Sequence, residues 1–178
     1  LAEEAPVESP EEIKKVDYLF IEADEDHVAE QHGDSSKDNK SFISKLVYVY
    51  ECKQDVPGNK DKKELVNSFY FSGLYPDKEG NERLWKNVQN YINTNYDADN
   101  LKRVFISGDG ASWIKSGADY LDKALFCADK FHLMKYINHA AAQMLDEKEI
   151  ARDELWHLLY SKKPKAKERF KEYTDRMM

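Results

Sequence analysis

The 178-residue sequence has few cysteines, no long apolar run and no internal repeat. Its two cysteines, Cys52 and Cys127, lie in apolar, strand-like stretches, which predicts buried free thiols in a reducing, cytoplasmic protein. No apolar run approaches the roughly 20 residues that a membrane helix needs, so we expect no transmembrane segment. Without repeats or low-complexity tracts, the length favours one domain and the beginning of a second.

Acidic residues outnumber basic ones, 34 against 27, and the formal net charge of −7 argues against a general binder of polyanions. The charge is unevenly distributed, because the first forty residues are acidic, whereas residues 161–178 hold seven Lys and Arg against three acids. This basic tail is compatible with contact to a phosphate backbone and also with a solvated helix face. The candidate nucleic-acid contacts are Lys130, Lys162, Lys163 and Lys165.

The hydrophobic pattern predicts strands first and helices later. β-Rich runs predict five strands, at 16–23, 41–52, 64–75, 101–108 and 124–129. Polar stretches between the first three strands predict loops, and period-3.6 spacing predicts a helix over 78–96. A short helix capped near Ser112 is expected at 111–121, and the chain from Lys130 onward has helical character. Residues 1–15 have the composition of a linker or helix remnant.

This order of elements predicts an α/β fold with a ribonuclease H-like mixed sheet. Hairpin-connected strands at the start favour antiparallel pairing, and strands alternating with helices favour parallel crossovers. The expected sheet has five strands in the order 3-2-1-4-5, with flanking helices and a helical extension. We expect the core to span residues 16–139. Residues 140–178 are expected to be the first part of a helical insertion.

Two aspartates follow the strands that this topology makes parallel neighbours. Asp24 follows the apolar run of the first strand, and Asp109 follows the fourth. Neighbouring carboxylates repel each other, and a cation between them relieves the repulsion. Oxygen ligands favour Mg²⁺ or Mn²⁺, which activate water or a DNA 3′-hydroxyl in phosphodiester chemistry. The alternative interpretation is a solvated strand end and a turn-forming aspartate.

The choice of the first acid has a fallback. Asp26 shares a strand face with Asp24 and Glu22, because side chains alternate along a strand.

Asp109 lies between Gly108 and Gly110, which permit close backbone approach and unusual backbone angles.

The segment "CADKFH" allows several interpretations. Asp129 could cap the following helix, and His132 could orient a carboxylate, bind a phosphate or pack in the core. A zinc site formed by Cys127, Asp129 and His132 lacks a fourth ligand at suitable spacing.

Three stretches, "LFIEADEDHVA", "VFISGDGASWIKSGADYL" and "FCADKFHLMKYI", together resemble bacterial insertion-sequence transposases of the ISLre type, a group related to Mutator-like DDE transposases. The resemblance implies a ribonuclease H-like core that cuts and joins DNA with Mg²⁺ or Mn²⁺. It implies that Asp24 and Asp109 are the first two acids, and that Asp129 and His132 form a supporting (C/D)-x-x-H motif.

The same resemblance implies a third acid, on a later helix that follows an insertion. Four glutamates are present late in the chain, but none follows a recognisable return to the core: Glu147, Glu149, Glu154 and Glu168. We therefore expect the third acid beyond residue 178 and a chain that is inactive alone. The resemblance also implies transposon-end and target DNA as the partner, with assembly as a homo-oligomer on that DNA. A stand-alone nuclease and a non-catalytic nucleic-acid-binding remnant are the alternative hypotheses.

Overall fold

The computed structural model describes residues 12–29 and 41–177, which belong to two compact units. One unit extends to Cys127 and the other begins at Ala128. The elements in chain order are β1 (Tyr18–Ala29), β2 (Ser41–Tyr50), β3 (Cys52–Val56), β4 (Asn59–Val66), β5 (Phe69–Leu74), α1 (Lys78–Asn95), β6 (Arg103–Gly108), α2 (Ser112–Lys115), α3 (Gly117–Tyr120), β7 (Ala124–Ala128), α4 (Lys130–Ala141), a 3₁₀ turn (Ala142–Glu147), α5 (Lys148–Tyr160) and α6 (Ala166–Met177). None of the described helices is long and apolar enough to span a bilayer.

The main sheet has five strands in the order β5-β2-β1-β6-β7. β1 pairs antiparallel with β2, and β2 pairs antiparallel with β5, whereas β1 and β6 are parallel. With the β3–β4 hairpin set aside, this is the predicted order 3-2-1-4-5. The predicted fold class, a ribonuclease H-like mixed sheet with flanking helices, is confirmed.

The core of the first unit lies between one face of this sheet and α1. Alternate residues of the strands are buried on that face, among them Leu19, Ile21, Val47, Val49, Val104 and Ile106. The predicted helical stripe of α1 is buried against them: Leu84, Trp85, Val88, Tyr91 and Ile92. The helix begins after Asp77, whose side chain accepts a hydrogen bond from the Gly80 amide at 2.6 Å.

Two predicted loop regions contain strand instead. β1 continues past Ala23 to Ala29, paired with β2, whereas the sequence predicted a polar loop there. The stretch predicted as a turn forms the β3–β4 hairpin, a separate two-stranded sheet that turns through Gly58 at φ +82°. Both strands of the hairpin are rich in charged residues, so neither shows the alternation of apolar residues by which strands are recognised.

Two local predictions are wrong. Ala111, not Ser112, occupies the N-cap position of α2, and no side chain caps that helix. Cys52 is exposed because it begins the hairpin rather than ending a buried strand, and Cys127 is half-buried. Both thiols are free, as predicted.

The second unit is helical, as the sequence from Lys130 onward predicted. α4, α5 and α6 surround a small core of Ile137, Ala141, Ala151 and Leu155, with Phe170 and Tyr173 packed against it. The predicted division between residues 139 and 140 concerns the border of an insertion in a longer protein, and it stays a prediction.

Candidate active site

The two predicted acids occupy matching positions on neighbouring parallel strands. The paired register of β1 and β6 ends with Glu22 opposite Ser107. Asp24 comes two residues later along β1, and Asp109 comes two residues after Ser107, directly after the end of β6. Because parallel strands carry the same direction, both acids lie toward the same edge of the sheet.

A tight backbone contact supports this arrangement. A Cβ atom added to Gly108 would lie 2.8 Å from the carbonyl oxygen of Ala23 and 2.8 Å from Cδ1 of Ile114. Ala23 and Gly108 are the residues immediately before Asp24 and Asp109. Glycine at position 108 therefore permits β1 and β6 to approach each other closely, immediately before Asp24 and Asp109.

The loop after β6 fixes Asp109. Its Oδ1 atom accepts a hydrogen bond from the Ala111 amide at 2.8 Å, which forms an Asx turn ahead of α2. Gly110 has φ +94°, a conformation that favours glycine, so the Gly-Asp-Gly motif is explained by a close contact on one side and a turn on the other. The Asp109 side chain is half-buried.

Asp24 lies at the position where β1 leaves β6 rather than at the end of β1. It pairs with Leu46 of β2, and its Oδ1 atom accepts a hydrogen bond from the Glu25 amide at 2.9 Å. Its side chain is exposed. The fallback, Asp26, is also exposed and lies two residues further along the same face, opposite Ser44.

Glu22 shares this face but is held by three donors. Tyr48 donates to one carboxylate oxygen, while Tyr50 and Lys53 donate to the other, each at 2.7 Å. Burial acts to raise the pKa of Glu22, but the hydrogen bonds from Lys53, Tyr48 and Tyr50 outweigh it and hold the pKa below its ordinary value. Burial and the Glu22 carboxylate raise the pKa of Tyr48, and the charge of Asp24 adds to the increase. Glu22 is thus a structural anchor beside Asp24.

Lys45 is a buried lysine that the sequence analysis did not single out. It is 5% exposed, and its Nζ atom donates to the Tyr75 carbonyl oxygen at 2.7 Å and to Oδ1 of Asn81. The ammonium also lies 4.9 Å from the centroid of the Trp113 ring in α2, just after the Asp109 loop. It thereby links β2, the start of α1 and α2 near the candidate acids.

The charge environment of Lys45 combines burial with nearby acids. Burial lowers the pKa of Lys45, while the charges of Glu25 and Asp77 act in the opposite direction.

A signal for this position exists in the sequence: Ile43, Lys45, Val47 and Val49 alternate, so the lysine occupies an inward-facing position of β2.

Asp129 and His132 form a local pair in the second unit. Asp129 is the N-cap of α4: its Oδ1 accepts hydrogen bonds from the amides of Phe131 and His132 at 2.7 and 3.1 Å. Its Oδ2 lies within hydrogen-bond distance of Nδ1 of His132. Burial acts to raise the pKa of Asp129, but the bonds from His132 and Phe131 outweigh it and keep the pKa below its ordinary value. This arrangement fits a helix cap that also orients the imidazole ring.

The predicted nucleic-acid contacts are exposed lysines of the second unit. Lys162, Lys163 and Lys165 lie between α5 and α6, and Lys165 has φ +68°. The Nζ atom of Lys130 lies 5.8 Å from the centroid of the Trp156 ring. Their accessibility is compatible with phosphate contact, and their role stays a prediction.

The donor chemistry of Asp24 and Asp109 fits Mg²⁺ or Mn²⁺, since both supply carboxylate oxygens. Within residues 12–29 and 41–177, however, no group of three or more His, Cys, Asp or Glu side chains could hold a metal ion. Metal binding by the two aspartates stays a prediction, and it would require a further ligand besides them. Cys127, Asp129 and His132 are all among these described residues, and they do not form such a group, which argues against the zinc interpretation.

The sheet order and the paired strand ends define a ribonuclease H-like α/β protein. Within that class, the chain belongs to the UPF0236 family, an uncharacterised protein family whose sequence model matches residues 2–162.

Relatives in this family come from Caldanaerobacter subterraneus subsp. tengcongensis. One UPF0236 protein of that organism is 33% identical over 148 residues, which is 83% of this chain and 28% of the relative. Another is 32% identical over 167 residues, 94% of this chain and 32% of the relative. The chain thus spans about a third or less of the length of the relatives that it matches.

Among solved structures, the chain is similar to the Drosophila P element transposase in its strand transfer complex. The two share 16% sequence identity with a TM-score of 0.40, over 75% of this chain and 31% of the transposase.

Proposed function

We propose that this chain is part of the catalytic core of a DDE-type DNA transposase of the ISLre insertion-sequence type, which cleaves and transfers DNA strands with Mg²⁺ or Mn²⁺. Asp24 and Asp109 would hold the metal. The observation that carries the proposal is the close contact of Ala23 and Gly108, which brings the two strands together one residue before each acid.

The proposed chemistry divides between the metal and the chain. A bound divalent ion supplies Lewis-acid stabilisation of a phosphodiester and lowers the pKa of a coordinated water or 3′-hydroxyl. The chain's own contribution is to hold two carboxylates at one sheet edge. The Asx turn fixes Asp109, the β1–β2 ladder fixes Asp24, and the three donors on Glu22 leave that carboxylate less free to bind metal.

DNA is the proposed partner, with Lys130, His132 and the α5–α6 lysines as candidate phosphate contacts. The third acid would come from the part of the protein outside residues 1–178, so cleavage and strand transfer are proposed for the full-length protein. Assembly as a homo-oligomer on DNA and a cytoplasmic location belong to the same proposal.

Calorimetric titration of Mn²⁺ into the 178-residue chain tests the metal site. Asp24→Asn and Asp109→Asn should each weaken binding by at least roughly 10-fold, since loss of outer metal-site partners alone costs 10–100-fold. Asp26→Asn separates the fallback from Asp24, because it should leave the affinity within about twofold of wild type if Asp24 is the ligand.

Asp122→Asn is the matched control. Asp122 is exposed and precedes Lys123, whose carbonyl oxygen accepts from the amide of Val104 at the opposite end of β6. Wild-type affinity no better than that of the Asp24→Asn/Asp109→Asn double variant would remove the basis for a catalytic role. That result would favour the non-catalytic, nucleic-acid-binding alternative.

A further inference from the structure

The helix α2 follows the Asp109 loop directly and has few hydrogen bonds of its own. It has four residues and no side-chain cap, and a helix of this length is not stable without tertiary contacts. The Ala111 amide, which donates to Oδ1 of Asp109, immediately precedes this turn. The position of Asp109 therefore depends on the contacts that hold α2 against the rest of the first unit.

Trp113 and Ile114 are the two buried residues of α2. The Trp113 carbonyl oxygen accepts a hydrogen bond from the Trp85 indole at 2.8 Å. The Trp113 indole N–H is itself buried, and nothing in the described part of the chain accepts a hydrogen bond from it. Packing therefore holds the Trp113 ring together with the ammonium of Lys45, whose Nζ atom lies 4.9 Å from the ring centroid.

The ammonium of Lys45 is held in place by groups of the first unit. The Tyr75 carbonyl oxygen, at 2.7 Å, and Oδ1 of Asn81 accept hydrogen bonds from Nζ. An ammonium has three N–H groups, so one remains for the face of the Trp113 ring. Because Lys45 is buried, little water screens this contact, and a cation–π contact is stronger when it is desolvated.

Lys45 also lies beside the strand segment that bears the other acid. In the β1–β2 ladder Lys45 pairs with Glu25, and the adjacent pair is Asp24 with Leu46. One side chain thereby connects the backbone next to Asp24 with the helix that follows Asp109.

We propose that Lys45 is a positioning residue for the candidate site. Through the Trp113 ring it sets the position of Asp109 relative to Asp24, and so the fit of both carboxylates to a divalent ion. Burial of a charge is costly, and a neutral donor also satisfies a carbonyl oxygen, so the two oxygen acceptors alone do not explain an ammonium here. The ring face explains it, because it attracts a cation. The metal part of this inference rests on the proposed function, whereas the position of the Asp109 loop does not.

Calorimetric titration of Mn²⁺ into the 178-residue chain tests the metal part. Lys45→Met should lower the affinity about tenfold, whereas Lys45→Arg, which keeps a cation for the ring, should stay within about threefold of wild type. Val88→Ala is the control for lost stability, because it opens a cavity in the core two turns after Asn81 in α1. Its affinity should stay within about twofold of wild type.

A double-mutant cycle tests the route through the ring. Trp113→Leu is combined with Lys45→Met, and the Mn²⁺ affinities of both single variants and of the double variant are compared. If the lysine acts through the ring, the double variant should bind about as well as the weaker single variant, since the two changes break the same contact. Losses that multiply would show that Lys45 acts independently of Trp113 and would overturn the proposal.

Hydrogen exchange without metal tests the position of the loop directly. Lys45→Met should speed exchange of the Ala111 amide at least about fivefold relative to the amide of Val104, which donates to the Lys123 carbonyl oxygen at the other end of β6. Val88→Ala should change both amides by a similar factor. This measurement decides the positioning role even where wild type binds no Mn²⁺, a result that would remove the catalytic proposal alone.

Three further results would overturn the positioning role. One is an unchanged ratio of Ala111 to Val104 exchange in Lys45→Met. Another is an Ala111 amide that already exchanges at the unprotected rate in wild type, because the turn would then hold Asp109 loosely. The third is an equal loss of Mn²⁺ affinity in Lys45→Met and Val88→Ala, which would assign the effect to general destabilisation.

Discussion

Gly108→Ala is the most direct perturbation of the candidate site, because it inserts one methyl group into the contact between β1 and β6. The added carbon would lie 2.8 Å from the Ala23 carbonyl oxygen, so the strands would have to separate by about 0.6 Å to reach ordinary van der Waals contact at 3.4 Å. Gly108 does not have a left-handed φ, which makes the effect steric rather than conformational. Overpacking of this kind costs about 1–3 kcal/mol of unfolding free energy.

The same displacement should weaken metal binding. Metal–ligand distances stay within about 0.2 Å of their standard values. The expected separation of the two backbone segments that carry Asp24 and Asp109 is larger than this tolerance. We therefore expect the Mn²⁺ affinity of Gly108→Ala to fall about tenfold. Gly117→Ala is the comparison variant: its Cβ would lie 2.5 Å from the Trp85 ring, so it overpacks the core without entering the β1–β6 contact.

Urea unfolding monitored by circular dichroism gives the stability of both variants, and calorimetry gives their Mn²⁺ affinity. Both should unfold at lower urea concentration than wild type, and only Gly108→Ala should lose metal affinity. A Gly108→Ala protein as stable as wild type would refute the tight contact. An equal affinity loss in the two variants would show that general loosening, not the strand contact, governs metal binding.

Three further predictions concern the surrounding network. Lys45→Met should lower the free energy of unfolding by about 1–3 kcal/mol, measured by urea denaturation, because it removes this donor from the buried Tyr75 carbonyl oxygen and from the half-buried Asn81 amide oxygen. Burial and Glu22 raise the pKa of Tyr50 above its ordinary value of 10.0, so wild type should lose stability as pH rises above 10, and Tyr50→Phe should lose less over the same range. Asp129→Ala should cost about 0.5–2 kcal/mol at neutral pH as a lost helix cap. Because the pKa of Asp129 lies below its ordinary 3.8, urea melts at decreasing pH should show this difference shrinking once the pH falls below that value, and a constant difference would contradict the assignment.

The sequence predicted the parts of the fold that depend on short-range periodicity. The stripe on α1 and the apolar runs of β1, β2 and β6 are strong local signals, and the alternation of strands and helices restricted the topology to the observed sheet order. The hairpin was missed because its strands pair through charged side chains, as in the Lys63–Asp55 ion pair and the Gln54–Glu64 hydrogen bond. Partners of this kind are chosen by register, which local composition does not encode.

The candidate acids were predictable for a topological reason, whereas the residues that hold them were not. Parallel pairing places Asp24, where β1 leaves β6, and Asp109, directly after β6, toward one edge of the sheet, so their neighbouring placement was predictable from strand order. The role of Glu22 depends on donors 26 to 31 residues away in the sequence, and that of Lys45 on acceptors 30 and 36 residues away. Such contacts form only after the sheet and α1 have packed.

This difference has a consequence for the first acid. By sequence, Glu22, Asp24 and Asp26 share one strand face, and Asp24 was preferred only because it directly follows the apolar run. Tertiary contacts separate them: Glu22 accepts hydrogen bonds from Tyr48, Tyr50 and Lys53, whereas Asp24 lies where β1 leaves β6 and Asp26 lies beyond it. A carboxylate that already accepts three hydrogen bonds would have to give some of them up to bind a metal ion, so the contacts favour Asp24 by excluding its neighbour rather than by any property of Asp24 itself.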